Sequence, residues 1–239
     1  MTVGQAERMP AYQLLADELR AEITSGRLRP GERLPTEPQL CERSGVSRST
    51  VREALRLLAS QHLIVTTRGV TGGSFVTRPS VAQLAETISG GMGLLMTTGT
   101  VGAEHLFEVR ETFEVPAAGL AAERRTDDDL STMATALFDP ETAGLDEMLD
   151  AHRKFHGAVA AATGNPIYEL ITRPLYSLAN ERTLAAQAPT SFWRRVDAEH
   201  QEILGAIGRC DARAARAAAR AHVDHLRSVY VESAVTLAG

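Results

Sequence analysis

The sequence lacks any long apolar stretch, since no run of the roughly 18 apolar residues that a membrane-spanning helix needs occurs in it. Its first residues, MTVGQAERMPAYQ, also lack the charged and then apolar order of a secretion signal. We therefore expect a soluble cytoplasmic protein with no membrane partner.

Cysteine is scarce as well. Cys41 and Cys210 are far apart, and neither belongs to a CxxC or CxxxC pair. This cysteine content is typical of a protein in a reducing compartment and excludes a fold that depends on disulfide bonds for its stability. The simplest interpretation of both cysteines is a small, buried apolar side chain.

The net charge of −5 would argue against a nucleic-acid partner if the charges were evenly spread. Residues 1–80, however, carry eleven Arg against eight acidic residues, a net charge of +3. Residues 81–239 carry fourteen basic and twenty-two acidic residues, a net charge of −8. This asymmetry predicts two domains, a DNA-binding domain at 1–79 and an acidic domain at 80–239.

Three helices and a β-hairpin are predicted in the first domain. Apolar residues at helical spacing indicate the helices, which are separated by the Pro30-Gly31 turn and by Gly45. Thr36 and Gln39 have the spacing of a capping box at the start of the second helix. The predicted helices are 10–25, 37–44 and 47–60, and the predicted strands are 63–67 and 74–77. This order is typical of a winged helix-turn-helix, in which the hairpin is the wing.

Polar side chains on the outer face of the third helix suit phosphates and base edges. The segments LRAEITSGRLRPGERLPTE and GVSRSTVREALRLLASQHLIV strongly resemble the DNA-binding domain of the GntR family of bacterial regulators, over residues 10–78. Two positions depart from the family pattern, because Pro38 stands where Arg is frequent and His62 where Gly is common. The resemblance implies that the DNA-contacting residues are Ser47, Arg48, Ser49, Thr50, Arg52, Arg68 and Gly69.

From residue 81 onward no β-rich run occurs, and Pro and Gly punctuate Ala- and Leu-rich segments. This texture predicts an all-α helical bundle, so that the whole chain is mostly α. Helices are expected near 81–96, 104–124, 127–137, 144–163, 166–187, 191–208 and 211–234.

Four histidines fall on the predicted inner faces of these helices. His152 and His156 are one turn apart on one helix, and His200 and His222 each share an apolar stripe of another. A single histidine of this kind is more often an ordinary core or surface residue. Four of seven on inner faces predict a metal site, since uncompensated polar groups there are costly. His225 would then be an outer partner of the site or a solvated residue.

The segments RKFHGAVAAATGNPIY, EHQEILGAI and RAHVDHL resemble the FCD effector domain of the FadR branch of this family, over about 104–233. The resemblance implies a divalent metal, typically zinc or nickel, held by an Asp and three His. The matching positions are His152, His156, His200 and His222, with His152 in place of the Asp. Four neutral imidazoles would favour nitrogen-preferring ions and leave the ion's charge for an anionic effector.

Arg110 falls on the inner stripe of the helix near 104–124. A guanidinium aimed inward needs a carboxylate or phosphate partner. The resemblance implies that it binds a small carboxylate effector, and an internal salt bridge is the alternative.

The sequence thus predicts a ligand-responsive transcriptional regulator, by default a repressor, that binds a near-palindromic DNA operator as a homodimer. Residues 80–239 are the predicted effector-binding and dimerisation domain. A metal-free sensor of acyl thioesters is one alternative. A metal-dependent hydrolase is another, but the segment from His152 to His156 has no glutamate of the HExxH kind. Helical geometry also predicts that Glu199, beside His200, points away from the cluster. We therefore expect no enzyme.

Overall fold

The computed structural model describes residues 9–69, 72–78, 80–176 and 188–237. The chain divides into two compact units, Met1–Pro79 and Ser80–Gly239. Among the described residues, no helix has both the length and the apolar character to cross a bilayer. The predicted fold class is confirmed, because a winged helix-turn-helix precedes a unit whose described residues form helices and loops but no strand.

The first unit consists of three helices followed by a two-stranded antiparallel sheet. The elements are α1 (Ala11–Thr24), α2 (Glu37–Ser44), α3 (Arg48–Ser60), β1 (Ile64–Thr67) and β2 (Gly73–Val76). Ile64 pairs with Val76 and Thr67 with Gly73, and a single bridge between Arg33 and Phe75 ties the segment before α2 to the hairpin.

Local signals fix the turn between α2 and α3. The Gln39 side chain accepts the backbone N–H of Thr36 at 2.8 Å, which closes the start of α2. Gly45 ends α2 with φ +68°, a conformation that side chains disfavour. Ser47 then caps α3, where its hydroxyl accepts the N–H of Thr50 at 3.2 Å. The inner faces of the three helices bury Leu19, Leu40, Val51 and Leu58 completely.

The second unit is an α-bundle. Its helices are α4 (Val81–Thr97), α5 (Ala103–Arg124), α6 (Asp127–Thr135), α7 (Leu145–Ala161), α8 (Pro166–Thr172), a 3₁₀ turn (Arg173–Tyr176), α9 (Thr190–Gly208) and α10 (Ala212–Leu237). The helix expected over 166–187 is α-helical only to Thr172, because Pro174 lacks an N–H and its ring clashes with the preceding turn. Residues 177–187 of that prediction lie outside the described residues.

Helices α5, α7, α9 and α10 pack around a shared interior. One apolar cluster includes Val115, Phe155 and Ile203, and a second includes Phe107 and Trp193. The histidine-bearing faces of α7, α9 and α10 therefore lie in the bundle interior, as their apolar stripes predicted.

The two cysteines differ in exposure. Cys41 is half-buried, as a small apolar residue can be, but Cys210 is exposed, so the expectation of burial is wrong there. Cys210 has φ +56° in the turn that ends α9, where its N–H bonds to Ile207 and that of Asp211 to Ala206. Cys210 lies beyond Gly208, the last residue of α9, and therefore does not belong to the apolar stripe of that helix.

His62 ends α3 in the same way. Its φ is +57°, its N–H donates to the carbonyl of Ala59, and the N–H of Leu63 donates to the carbonyl of Leu58, both at 3.0 Å. This is the hydrogen-bond pattern of a Schellman motif, in which the left-handed position favours glycine. The structure thus explains why the family pattern has Gly where this chain has His62.

We predict that His62→Gly stabilises the first unit by about 1 kcal/mol, because it removes the steric cost of the left-handed conformation. Hydrogen exchange of the α3 amides in the full chain should slow about fivefold. The matched control is Gln61→Gly, at φ −89°, which should not slow exchange. Equal or faster exchange in His62→Gly would contradict the prediction.

Candidate functional site

The first unit carries a basic groove of about 790 Å³ between the start of α2, the outer face of α3 and the hairpin. Two of the predicted DNA-contacting residues, Arg52 and Arg68, line it together. Arg33 and Arg56 also line it, although neither was predicted as a DNA contact. The positive side chains at this groove suit a polyanion.

An ion pair with the start of α2 holds the Arg52 side chain. Its Nε donates to both carboxylate oxygens of Glu37, at 2.9 and 3.1 Å, while 60% of the side chain stays exposed. The neighbouring Pro38 also lines the groove and offers no donor in place of the family's Arg.

Three hydroxyl groups at the start of α3 are hydrogen-bonded to one another. Ser47 Oγ lies 2.8 Å from both Ser49 Oγ and Thr50 Oγ1 while it caps the helix. Arg48 and Ser49 are exposed beside it. At the wing, Gly69 has φ +113° with open space around it, so backbone and ligand can approach closely there.

The second unit brings the four predicted histidines together. Their ligand atoms all lie within 4.8 Å of one another, and every ring is buried. His152 Nδ1 is 3.2 Å from His200 Nε2, and His156 Nε2 is 3.1 Å from His222 Nε2. Asp150 stays outside this cluster, half-exposed and paired with Lys154.

Apolar and aromatic side chains enclose these four residues, which we call the histidine cluster. Phe155 stacks on His200 with ring centroids 4.2 Å apart, and Tyr176 stacks on His156 at 5.0 Å. Burial lowers the pKa of all four imidazoles, and in His222 a hydrogen bond to Glu199 opposes this effect. The rings are therefore neutral at pH 7, which is the form that binds metals.

The donor set fits a divalent ion. Zinc–nitrogen bonds of about 2.0–2.1 Å in a tetrahedron place the nitrogens about 3.3 Å apart. The two short separations in the histidine cluster, 3.1 and 3.2 Å, are close to that value. The remaining pairs of ligand atoms lie within 4.8 Å of one another, so binding an ion requires only small shifts of the rings.

Glu199 corrects one expectation. Its Oε2 accepts hydrogen bonds from Nδ1 of His222 at 2.8 Å and of His225 at 3.0 Å, so the prediction that it points away from the cluster is wrong. The side chain leaves α9 beside His200 but reaches across to α10. His225 is buried at this contact, which makes it an outer partner rather than a solvated residue.

Arg110 is buried on α5 and pairs with Glu114, with 2.5 Å between Nε and Oε1. The internal salt bridge left open by the sequence is therefore present. Glu114 Oε2 also lies 3.2 Å from His156 Nδ1, a contact that the sequence did not predict. A cavity of about 10 Å³, large enough for one water molecule, adjoins Glu114, His156 and Tyr176.

Comparisons with known proteins agree with this architecture. The profile of the bacterial regulatory proteins of the gntR family matches residues 11–76, and that of the FCD domain matches residues 105–225. The transcriptional regulator LutR of Bacillus subtilis is 31% identical over 214 residues, which cover 87% of this chain and 95% of that protein. The repressor NanR of Escherichia coli K12 is 29% identical over 228 residues, which cover 93% and 85% of the two chains.

Among solved structures, Streptococcus agalactiae GntR superposes with a TM-score of 0.64 at 26% identity, covering 91% of this chain and 99% of that one. Both resemblances inferred from the sequence are thereby confirmed. The chain belongs to the GntR family of bacterial regulatory proteins, with an FCD domain that follows the winged helix in sequence, and is a transcriptional regulator rather than an enzyme.

Proposed function

We propose that this regulator binds a near-palindromic operator as a homodimer, by default as a repressor in the cytoplasm, and that its FCD domain binds one divalent metal and a small carboxylate. The observation that carries the metal proposal is the buried, four-imidazole histidine cluster. The proposed metal ligands are His152, His156, His200 and His222. The proposed DNA contacts are Ser47, Arg48, Ser49, Thr50, Arg52, Arg68 and Gly69.

Charge and shape support the DNA contacts. The groove combines arginines from α3 and the wing, and the start of α3 adds small polar side chains that suit base edges. Because Pro38 supplies no donor, more of the recognition rests on α3 and Arg68. The Glu37 carboxylate fixes the Nε side of Arg52, which reduces the entropy that this long side chain loses on binding.

The chemistry of the donors supports zinc or nickel. Neutral imidazoles suit both ions, and the ligand set contains no carboxylate because His152 stands at the family's Asp position. When bound, the ion would supply a Lewis-acidic positive centre that attracts an anionic ligand. Arg110, also buried and cationic, lies at hydrogen-bond distance from Glu114, which in turn contacts His156.

The effector proposal requires a rearrangement. The cavity beside Glu114 and His156 holds about 10 Å³, too little for a carboxylate ligand. An effector carboxylate that pairs with Arg110 would have to displace the Glu114 carboxylate from it. The helices that surround Arg110 would also have to move apart to make room for the effector. The effector would thus bind a second arrangement of the FCD domain more tightly than the present one. This difference in affinity is what a ligand-controlled regulator needs.

We predict one divalent ion per chain by elemental analysis after zinc loading and gel filtration. His200→Gln should lower this occupancy strongly, because it removes a ligand from a closed set of four. His105→Gln is the control, since His105 is exposed on α5 and should leave occupancy unchanged. A chain that retains stoichiometric metal when all four cluster histidines are replaced would overturn the assignment. A native chain that takes up no metal would favour the metal-free alternative.

We also predict that Arg52→Ala weakens binding to an operator selected from a random duplex library by about 1–3 kcal/mol and relaxes its sequence preference. Fluorescence anisotropy on the selected operator and on an unrelated duplex measures both effects. Arg209→Ala, an exposed change in the second unit, is the control and should bind as the native chain does. An equal loss on both duplexes would instead make Arg52 a phosphate contact.

A further inference from the structure

Two glutamates stand just outside the histidine cluster, and each contacts one of its rings. Glu114 Oε2 lies 3.2 Å from His156 Nδ1, and Glu199 Oε2 lies 2.8 Å from His222 Nδ1. Both carboxylates are largely buried, with 5% and 12% of the side chain exposed. Each also crosses between helices, since α5 supplies the partner of a ring on α7, and α9 that of a ring on α10.

These contacts determine where the ring protons lie. An ionised carboxylate only accepts hydrogen bonds, so the Nδ1 atom that faces it carries the hydrogen. In a neutral imidazole the other nitrogen, Nε2, then carries a lone pair.

The two Nε2 atoms so defined face each other. His156 Nε2 and His222 Nε2 are 3.1 Å apart, within hydrogen-bond distance, but neither has a hydrogen to donate when both Nδ1 atoms are protonated. Two lone pairs at this distance repel unless a cation lies between them. The other pair differs, because among the described residues neither His152 nor His200 has a carboxylate partner, and one ring can donate to the other at 3.2 Å.

Each glutamate is itself anchored by a cation. Arg110 Nε holds Glu114, and Arg195 Nε donates to Glu199 Oε1 at 2.9 Å. His225 adds a second donor to Glu199 at 3.0 Å, which explains a buried histidine that is not in the histidine cluster.

We propose that Glu114 and Glu199 are positioning residues that hold His156 and His222 as Nδ1–H tautomers and present their Nε2 lone pairs to the centre of the histidine cluster. The inference rests on the proposed metal binding, in which these two rings are the two ligands whose tautomer is already fixed by a carboxylate. His152 and His200 form the half that can adjust its tautomers. Outer carboxylates of this kind orient histidine ligands and raise their basicity.

The first test measures zinc affinity of the full chain by competition with a chromogenic chelator. Glu114→Gln and Glu199→Gln keep the side-chain shape and should each weaken zinc binding about 10- to 100-fold. Asp150→Asn is the matched control, because this carboxylate lies two residues from His152 but pairs with Lys154 outside the cluster. Unchanged zinc affinity in both glutamine variants would overturn the inference, as would an equal loss in Asp150→Asn.

The second test needs neither metal nor a variant. Long-range ¹⁵N–¹H spectra of the metal-free native chain report the tautomer of each histidine ring. Nδ1–H tautomers at both His156 and His222 are expected, because the two carboxylates hold these protons against the repulsion between the facing Nε2 lone pairs, and an Nε2–H tautomer at either ring would overturn the inference. If the native chain binds no zinc, the proposed metal function fails by itself, and these spectra alone decide how the glutamates orient the rings.

Discussion

Burial of four imidazoles at one point is the constraint on which the second unit depends. Polar rings inside a helical bundle are costly unless their nitrogens have partners, and here the partners are mainly one another and two glutamates. Three helices, α7, α9 and α10, must keep a fixed spacing for these contacts to form. Phe155 and Tyr176 complete the enclosure by stacking on two of the rings. An ion at the centre would satisfy the facing lone pairs that hydrogen bonds leave unpaired.

Glu114 connects the two proposed binding events in this unit. Its Oε1 pairs with Arg110, and its Oε2 contacts both the Arg110 guanidinium and the His156 ring, so a change at either partner alters the other. In our proposal an anionic effector competes with Glu114 for Arg110. Displacement of Glu114 would also change its contact with His156, a proposed metal ligand. Coupling through a shared residue is reciprocal, so the metal also affects how the effector binds.

Much of the fold could be predicted from local sequence, because caps, turns and helical periodicity are local properties. Gly45, Ser47 and the apolar stripe of α3 placed the helix-turn-helix, and the spacing of His152 and His156 placed them on one inner face. The sequence could not show that Glu199 reaches from α9 to α10, because packing between helices sets that contact. The 3₁₀ turn at Pro174 is the opposite case, because proline is a local signal that ends an α-helix and the predicted helix nevertheless ran past it.

The proposed role of the second unit requires that the four rings bind one ion as a set. X-ray absorption spectroscopy of the zinc-loaded chain tests this most directly, because it reports ligand type and distance together. Four nitrogen ligands at about 2.0–2.1 Å are expected, with the outer scattering of imidazole rings and no sulfur. A first shell of sulfur, or of oxygen without imidazole scattering, would contradict it.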